Sequence, residues 1–263
     1  MILLARTSRR RLLRLGLAAS LLAAAAPFAA AQDDSSFGTS TKTGEAALIG
    51  ILYDLKQTQQ REPTKETTAS YRHVLTEFYQ SDWDEAVLNR YFRVSRPVYT
   101  TQIAIEAMSA DQAPKAFGVD HVVEPRMWAV HYKGQVAPPE DGLYRFSGQA
   151  DDIMAVRVNG RLVLVAGQRD CLPPPGVWSP PEPTQPNSPT HGDWIALKAG
   201  ETVDFDVLIG ERPGGRFHAH LFVSKQGAPF QGSRPPYFKL AAGTKTPKTG
   251  APETSWSVWN GKQ

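Results

Sequence analysis

From Val98 to Val223 apolar residues return at every second position in short runs, separated by segments that carry glycine, proline or an Asn-Gly pair. A period of two puts alternate side chains on opposite faces of an extended chain, so each run reads as a strand with one buried face. Tyr99, Thr101, Ile103, Ile105 and Ala107 share one such face, and Arg126, Trp128, Val130 and Tyr132 another. Val203, Phe205, Val207 and Ile209 form a third, and Phe217, Ala219, Leu221 and Val223 a fourth. Leu143–Gly148 is a short strand. Ile153–Val158 and Arg161–Val165 flank Asn159-Gly160, a dipeptide suited to the type I′ turn of a hairpin. With 21 glycines and 21 prolines among 263 residues, the chain is rich in turns and short of long helices. The expected fold is mainly β, an antiparallel sandwich or barrel.

The N-terminal part of this region differs. Ala46–Leu55 reads as a first strand and Gln57–Thr68 as a loop. Tyr71, Val74, Leu75 and Phe78 then recur at helical spacing, and Asp82 stands three residues before Glu85, a capping arrangement ahead of Trp83, Val87, Leu88 and Tyr91. Two short helices are predicted, at 69–79 and 83–92, with aromatic stripes that serve as core-packing surfaces. Further on, Pro173–Pro189 holds eight prolines in 17 residues and reads as an extended surface loop. After Gly227 the chain is rich in Gly, Pro, Thr and Lys, a tail pinned by Tyr237-Phe238, Trp256 and Trp259.

Charge is unevenly placed. Five of the 29 basic residues (Arg6, Arg9, Arg10, Arg11, Arg14) fall in the first 31 positions beside no acid, leaving 24 basic residues against 26 acidic in the rest. That near-neutral body has no general electrostatic reason to bind nucleic acid. The arginines, the uncharged 17-residue stretch Leu15–Ala31 and the small residues Ala29-Ala30-Ala31 read as an export signal cleaved near residue 31. The competing reading, a membrane anchor, is weakened by nine alanines and by Pro27. Ser8–Arg14 resembles a twin-arginine motif, and the general secretory route stays open beside it. The expected division is a signal peptide at 1–31, a flexible leader at 32–44, a β-sandwich domain at 45–227 with a helical insertion at 69–92 and the proline-rich loop at 173–189, and a tail at 228–263. The expected location is periplasmic or secreted, with no transmembrane segment in the mature chain.

Gly142–Leu164, GLYRFSGQADDIMAVRVNGRLVL, resembles the core of the protective-antigen-type (PA-fourteen) domain: a Gly-x-Tyr-x-Phe strand, an Asp-Asp pair and a hairpin. Trp128–Gly134 resembles its preceding strand, Trp194–Glu201 its Leu-x-Ala-Gly-Glu turn, and Gly210–Gly215 its Glu-x-x-Gly-Gly loop. The match runs over 126–225, with the helical segment and the proline-rich loop as insertions. The resemblance implies an antiparallel β-sandwich and, since the family includes adhesins and modules of glycosidases, a carbohydrate-binding role. In family adhesins an Asp-Asp pair joined by a cis peptide holds a calcium ion that binds sugar hydroxyls. That places calcium and sugar at Asp151 and Asp152, whose carboxylates are also the hard oxygen donors calcium takes. The alternative for the pair is a structural turn.

Trp178 and Trp194 are candidate stacking platforms for a sugar ring, or pins that hold the proline-rich loop to the sandwich. His218 and His220 share a strand face with metal-ligand spacing that His131 or His191 could complete, though a solvent-facing strand explains them as well. Asp204 and Asp206 read as solvated. Cys171, alone in the chain, is expected to be buried and inert. No Ser-His-Asp order, phosphate-binding glycine loop or His-Glu-x-x-His occurs, so the expected function is non-catalytic binding of a glycan. A scaffold for envelope assembly, docking through the proline-rich loop, is the second expectation.

Overall fold

A computed structural model describes residues 47–185, 187–229 and 235–240, together with the backbone of 255–258. The signal-peptide, leader and Trp259 readings fall outside the described residues, as does the side chain of Trp256. In chain order the elements are β1 (Leu48–Thr58), α1 (Tyr71–Gln80), α2 (Glu85–Leu88), β2 (Tyr91–Arg93), β3 (Val98–Thr100) and β4 (Ala104–Ser109). A 3-10 turn and α3 (Ala113–Ala116) lead to β5 (Trp128–Ala137), β6 (Gly142–Asp151), β7 (Ile153–Val158) and β8 (Arg161–Gly167). Then come β9 (Thr190–Leu197), β10 (Val203–Glu211), β11 (Arg216–Lys225), β12 (Lys239–Leu240) and β13 (Ser255–Val258). Among the described residues no helix is long and apolar enough to cross a membrane.

The strands build the expected sandwich. The larger sheet has the order β12-β13-β5-β10-β7-β8, with β1 pairing β5 and carrying β2 and β3; the smaller has the order β4-β11-β6-β9. Apart from the parallel β12–β13 pair, each pairing is antiparallel. The period of two explains the core between them. Phe205, Val207 and Ile209 of β10 and Trp128, Val130 and Tyr132 of β5 face Phe146 of β6 and Phe217, Ala219 and Leu221 of β11. Asn159 and Gly160 have φ of 46° and 77°, both positive as a type I′ turn requires, and β7 and β8 pair on either side.

The opposite face of the larger sheet is also covered. Tyr71, Val74, Leu75, Phe78 and Tyr79 of α1, spaced at three and four, pack with Trp83, Val87 and Leu88 onto Ala129, Ile153, Ala155, Val165 and Leu208. The Tyr71 hydroxyl donates to the Trp128 carbonyl at 2.9 Å. The second helix is shorter than its sequence pattern predicts, because Tyr91–Arg93 leave it to pair with Tyr53, Asp54 and Thr58 of β1. Its N-cap is Asp84, which accepts from the Ala86 amide at 2.9 Å, and not Asp82, whose φ of 56° belongs to the turn between the helices.

This cover corrects the reading of Asp206, which is only 7% exposed. Its carboxylate takes His131 Nε2 at 2.9 Å and Arg157 Nε at 3.1 Å, and Arg157 reaches on to Asp82 Oδ1 at 3.0 Å. Phe78 and Trp83 close over the His131 ring, each at 5.4 Å between centroids. The outer face of β11 is likewise covered: Tyr237 stacks on Phe222 at 4.9 Å, and its hydroxyl lies 3.0 Å from Nδ1 of the buried His220. Phe238 enters the sandwich core, stacking on Phe205 at 4.7 Å.

Candidate functional site

Asp151 ends β6 in the smaller sheet and Ile153 begins β7 in the larger, so Asp152 alone carries the chain from one sheet to the other. The Asp151–Asp152 peptide bond is cis. Three other segments meet there. The Asp152 amide donates to the Gly210 carbonyl at 3.2 Å, and the Gln168 amide donates to the Asp152 carbonyl at 2.8 Å. His218 of β11 is the register partner of Asp151. Gly167 permits this approach: it has φ +147°, and a Cβ on it would stand 2.0 Å from the Asp152 carbonyl oxygen.

The two carboxyls of the pair lie in different surroundings. Asp151 is half-buried and its Oδ1 accepts from the Gln168 side-chain amide at 3.2 Å. Asp152 is 3% exposed, and its Oδ2 accepts from the Arg212 backbone amide at 2.7 Å. Glu211, absent from the candidates read in the sequence, joins them. It is fully buried; its Oε1 accepts from the Gly214 amide at 2.6 Å, and the Asp152 carboxyl lies within hydrogen-bonding reach of its side chain. Burial first, then repulsion from Asp152, pushes Glu211 up to about 8, against the pull of the Gly214 amide. Burial also raises Asp152, to about 6, with Asp151 adding repulsion and the Arg212 amide opposing. The signal for Glu211 is the Glu-x-x-Gly-Gly loop itself, whose glycine pair Gly214-Gly215, at positive φ, folds the chain back so that the Gly214 amide meets the carboxyl.

Beside this cluster runs a groove of about 640 Å³, walled on one side by the proline-rich loop and on the other by β6, β8 and β11. Trp178 lines it while packing its ring against both apolar cores, which pins the loop; its indole Nε1 is buried with no partner. Glu182 ties the same loop to Arg145 at 2.6 Å, and the Gln149 side-chain amide donates to the Asn187 carbonyl at 3.4 Å. Trp194 is placed elsewhere. It stands 36% exposed on the outer face of β9 under the Arg145 guanidinium, 4.6 Å from its ring centre, and Arg145 is six residues up the strand from Asp151.

His218 and His220 lie on one face of β11 with ring centroids 5.7 Å apart, but neither His131 nor His191 completes a metal set with them. His131 is under the helical cover with Asp206, and His191 Nδ1 is 2.8 Å from Ser147 Oγ. His218 faces the groove. Among the described residues no three His, Cys, Asp or Glu side chains are grouped to hold one metal ion. A calcium ion at the pair would therefore draw on Asp151, Asp152 and non-carboxylate oxygens, a mixed set that calcium's six to eight oxygen ligands allow. The donors fit that ion in type, since the carboxyls of Asp151 and Asp152 are hard oxygens. Cys171 is buried in the outer core, its thiol pushed up to about 12 by burial and then by Asp152.

Residues 119–228 match the family model described as the PA14 domain. No curated protein matches the chain. Among solved structures, the chain is similar to a PA14 sugar-binding domain from an RTX adhesin, with 15% identity over 71% of this chain and 93% of that one, at a TM-score of 0.43. The PA14 domain of the MpAFP antifreeze protein shares 15% identity over 76% and 90%, also at 0.43. The A domain of epithelial adhesin 6 from Candida glabrata, solved with Galβ1-3GlcNAc, shares 14% over 73% and 85%, at 0.43.

Proposed function

Since the chain carries a PA14 domain over residues 119–228, we propose that it is a non-catalytic binding module for carbohydrate, acting in the periplasm or outside the cell. The observation that supports this most is that Gln168, which lines the groove built by the proline-rich loop, also donates to Asp151 beside it. Asp151 and Asp152 hold calcium in this reading, and the ion supplies a positive centre toward which vicinal sugar hydroxyls turn. The chain's own contribution is position and shape. Gly167 admits the Asp152 carbonyl, the Arg212 amide orients the Asp152 carboxyl, and Trp178 fixes the loop that forms the opposite wall. Amides and hydroxyls along the groove, among them Gln149, Gln168, Asn187 and Thr184, suit a ligand rich in hydroxyl groups.

A glycan array probed with the mature protein, with calcium and with chelator, tests the proposal. Binding to a restricted set of glycans that chelator abolishes is the expected result. An array without any bound glycan would overturn it in favour of an envelope scaffold. Calcium-indifferent binding would keep the carbohydrate and remove the ion.

A further inference from the structure

Among the described residues, Arg169 is the one permanently charged side chain in the groove's lining. The lining holds no aspartate or glutamate; Asp151 lies beyond it with Oδ1 accepting from Gln168. Elsewhere in the domain several arginines pair with acids: Arg90 with Glu77, Arg145 with Glu182, Arg157 with Asp206, Arg161 with Asp193, and Arg212 with Asp170. Arg169 sits one residue from Asp170, yet Asp170 bonds Arg212, and Arg169 has no carboxylate partner among the described residues. The walls also hold unmet hydrogen-bonding capacity. The acceptor Gln149 Oε1 and the donor Trp178 Nε1 are both buried without partners. Buried polar atoms in this state are uncommon, and a site that a ligand completes is one setting for them.

We propose that the groove selects a sugar bearing a carboxylate, a uronate-type residue of an acidic glycan, with the Arg169 guanidinium receiving the acid. This rests on the carbohydrate reading above and adds the class of sugar. A guanidinium presents a planar fork of N–H donors that matches a carboxylate in two parallel hydrogen bonds, a geometry that a neutral hydroxymethyl group lacks. The amide-lined remainder of the groove takes the ring hydroxyls. The exposed position of Arg169 makes the contribution salt-sensitive.

The test uses the mature protein and pairs of oligosaccharides that differ in charge alone: oligouronates of several sugars, each beside its own methyl ester, titrated calorimetrically at low and high salt. At least one acid should bind about tenfold more tightly than its ester, the ratio expected for about 1.4 kcal/mol. That ratio should shrink as salt rises, and Arg169→Gln should bring it close to one. Arg169 holds no other side chain in place, so an unchanged melting temperature would show the variant is folded. Acids and esters bound equally well would overturn the acidic preference and leave the carbohydrate reading standing. A preference that survives Arg169→Gln would overturn the assignment to Arg169. Failure of every acid, ester and arrayed glycan to bind would defeat both.

Discussion

Two clusters of buried charge sit on the larger sheet, and they are built on opposite principles. Under the helical cover, Asp206 meets His131 and Arg157, and acid and base are matched within 3.1 Å. Burial alone would raise the Asp206 carboxyl, but the hydrogen bonds and charges of His131 and Arg157 outweigh it and hold it below its ordinary range. At the sheet crossover, burial raises both Asp152 and Glu211 and outweighs the opposing pull of the Arg212 and Gly214 amides and, on Asp152, of the Arg212 charge. The first cluster is complete within the chain and serves to seat the helices. The second keeps buried carboxyls protonated to higher pH, Glu211 up to about 8, and Gln168 links its Asp151 to the groove.

The largest effect should come from breaking the matched cluster. Asp206→Asn takes the buried acid from His131 and leaves the mostly buried Arg157 to the exposed Asp82, and should cost about 3 kcal/mol, read as a lower urea midpoint. In the native protein this contribution is present at neutral pH and is lost only as pH falls through the depressed carboxyl value. A change below about 0.5 kcal/mol would place the pair among surface ion pairs, where such losses are ordinary.

The unmatched cluster should behave in the opposite sense. A carboxyl raised in the folded state holds a proton that the unfolded chain has already released. Stability should therefore fall as pH rises from about 4.5 to about 8, the span over which Glu211 is shifted, and Asp152 should add to the fall below about 6. Glu211→Gln keeps an oxygen for the Gly214 amide and removes the ionisation, so at pH 9 the variant should melt about 3–6 °C above the native protein. Equal melting temperatures across that range would show that Glu211 is neutralised in a way the cluster geometry does not reveal.

The smallest effect concerns Cys171. Its thiol is buried, and the nearby acids disfavour the thiolate. Native protein should react with a thiol reagent no faster than it unfolds. Fast labelling would mean that the crossover region opens on its own.

Where the sequence was legible, its local signals and the tertiary structure agreed. Alternation in β5, β10 and β11 set the core faces, and Asn159-Gly160 set its hairpin. Asp206 was misjudged because alternation says which residues share a face and not what covers that face. The clue lay in its neighbours: Leu208, Ala155 and Ile153 are apolar on the same outward side, and the aromatic stripe of α1 needed a surface to meet. Asp151 and Asp152 were found as a motif, whereas Glu211 required the return of β10 to the crossover to be seen. Trp194 shows the limit of nearness in sequence. It follows the proline-rich loop closely, but the β6–β9 register carries it away from the pair that the loop approaches.

The claim that the crossover carboxyls await a cation is tested most directly by the melting temperature of the mature protein at pH 7.5, with millimolar calcium or with chelator, beside the Asp151→Asn, Asp152→Asn double variant. A ligand that binds only the folded state at a hundredfold excess over its Kd adds about 2.7 kcal/mol. The native protein should therefore melt higher with calcium and return with chelator, and the double variant should stay folded and not respond. A native melting temperature indifferent to calcium would contradict the account and leave Asp151 and Asp152 as the turn that joins the two sheets.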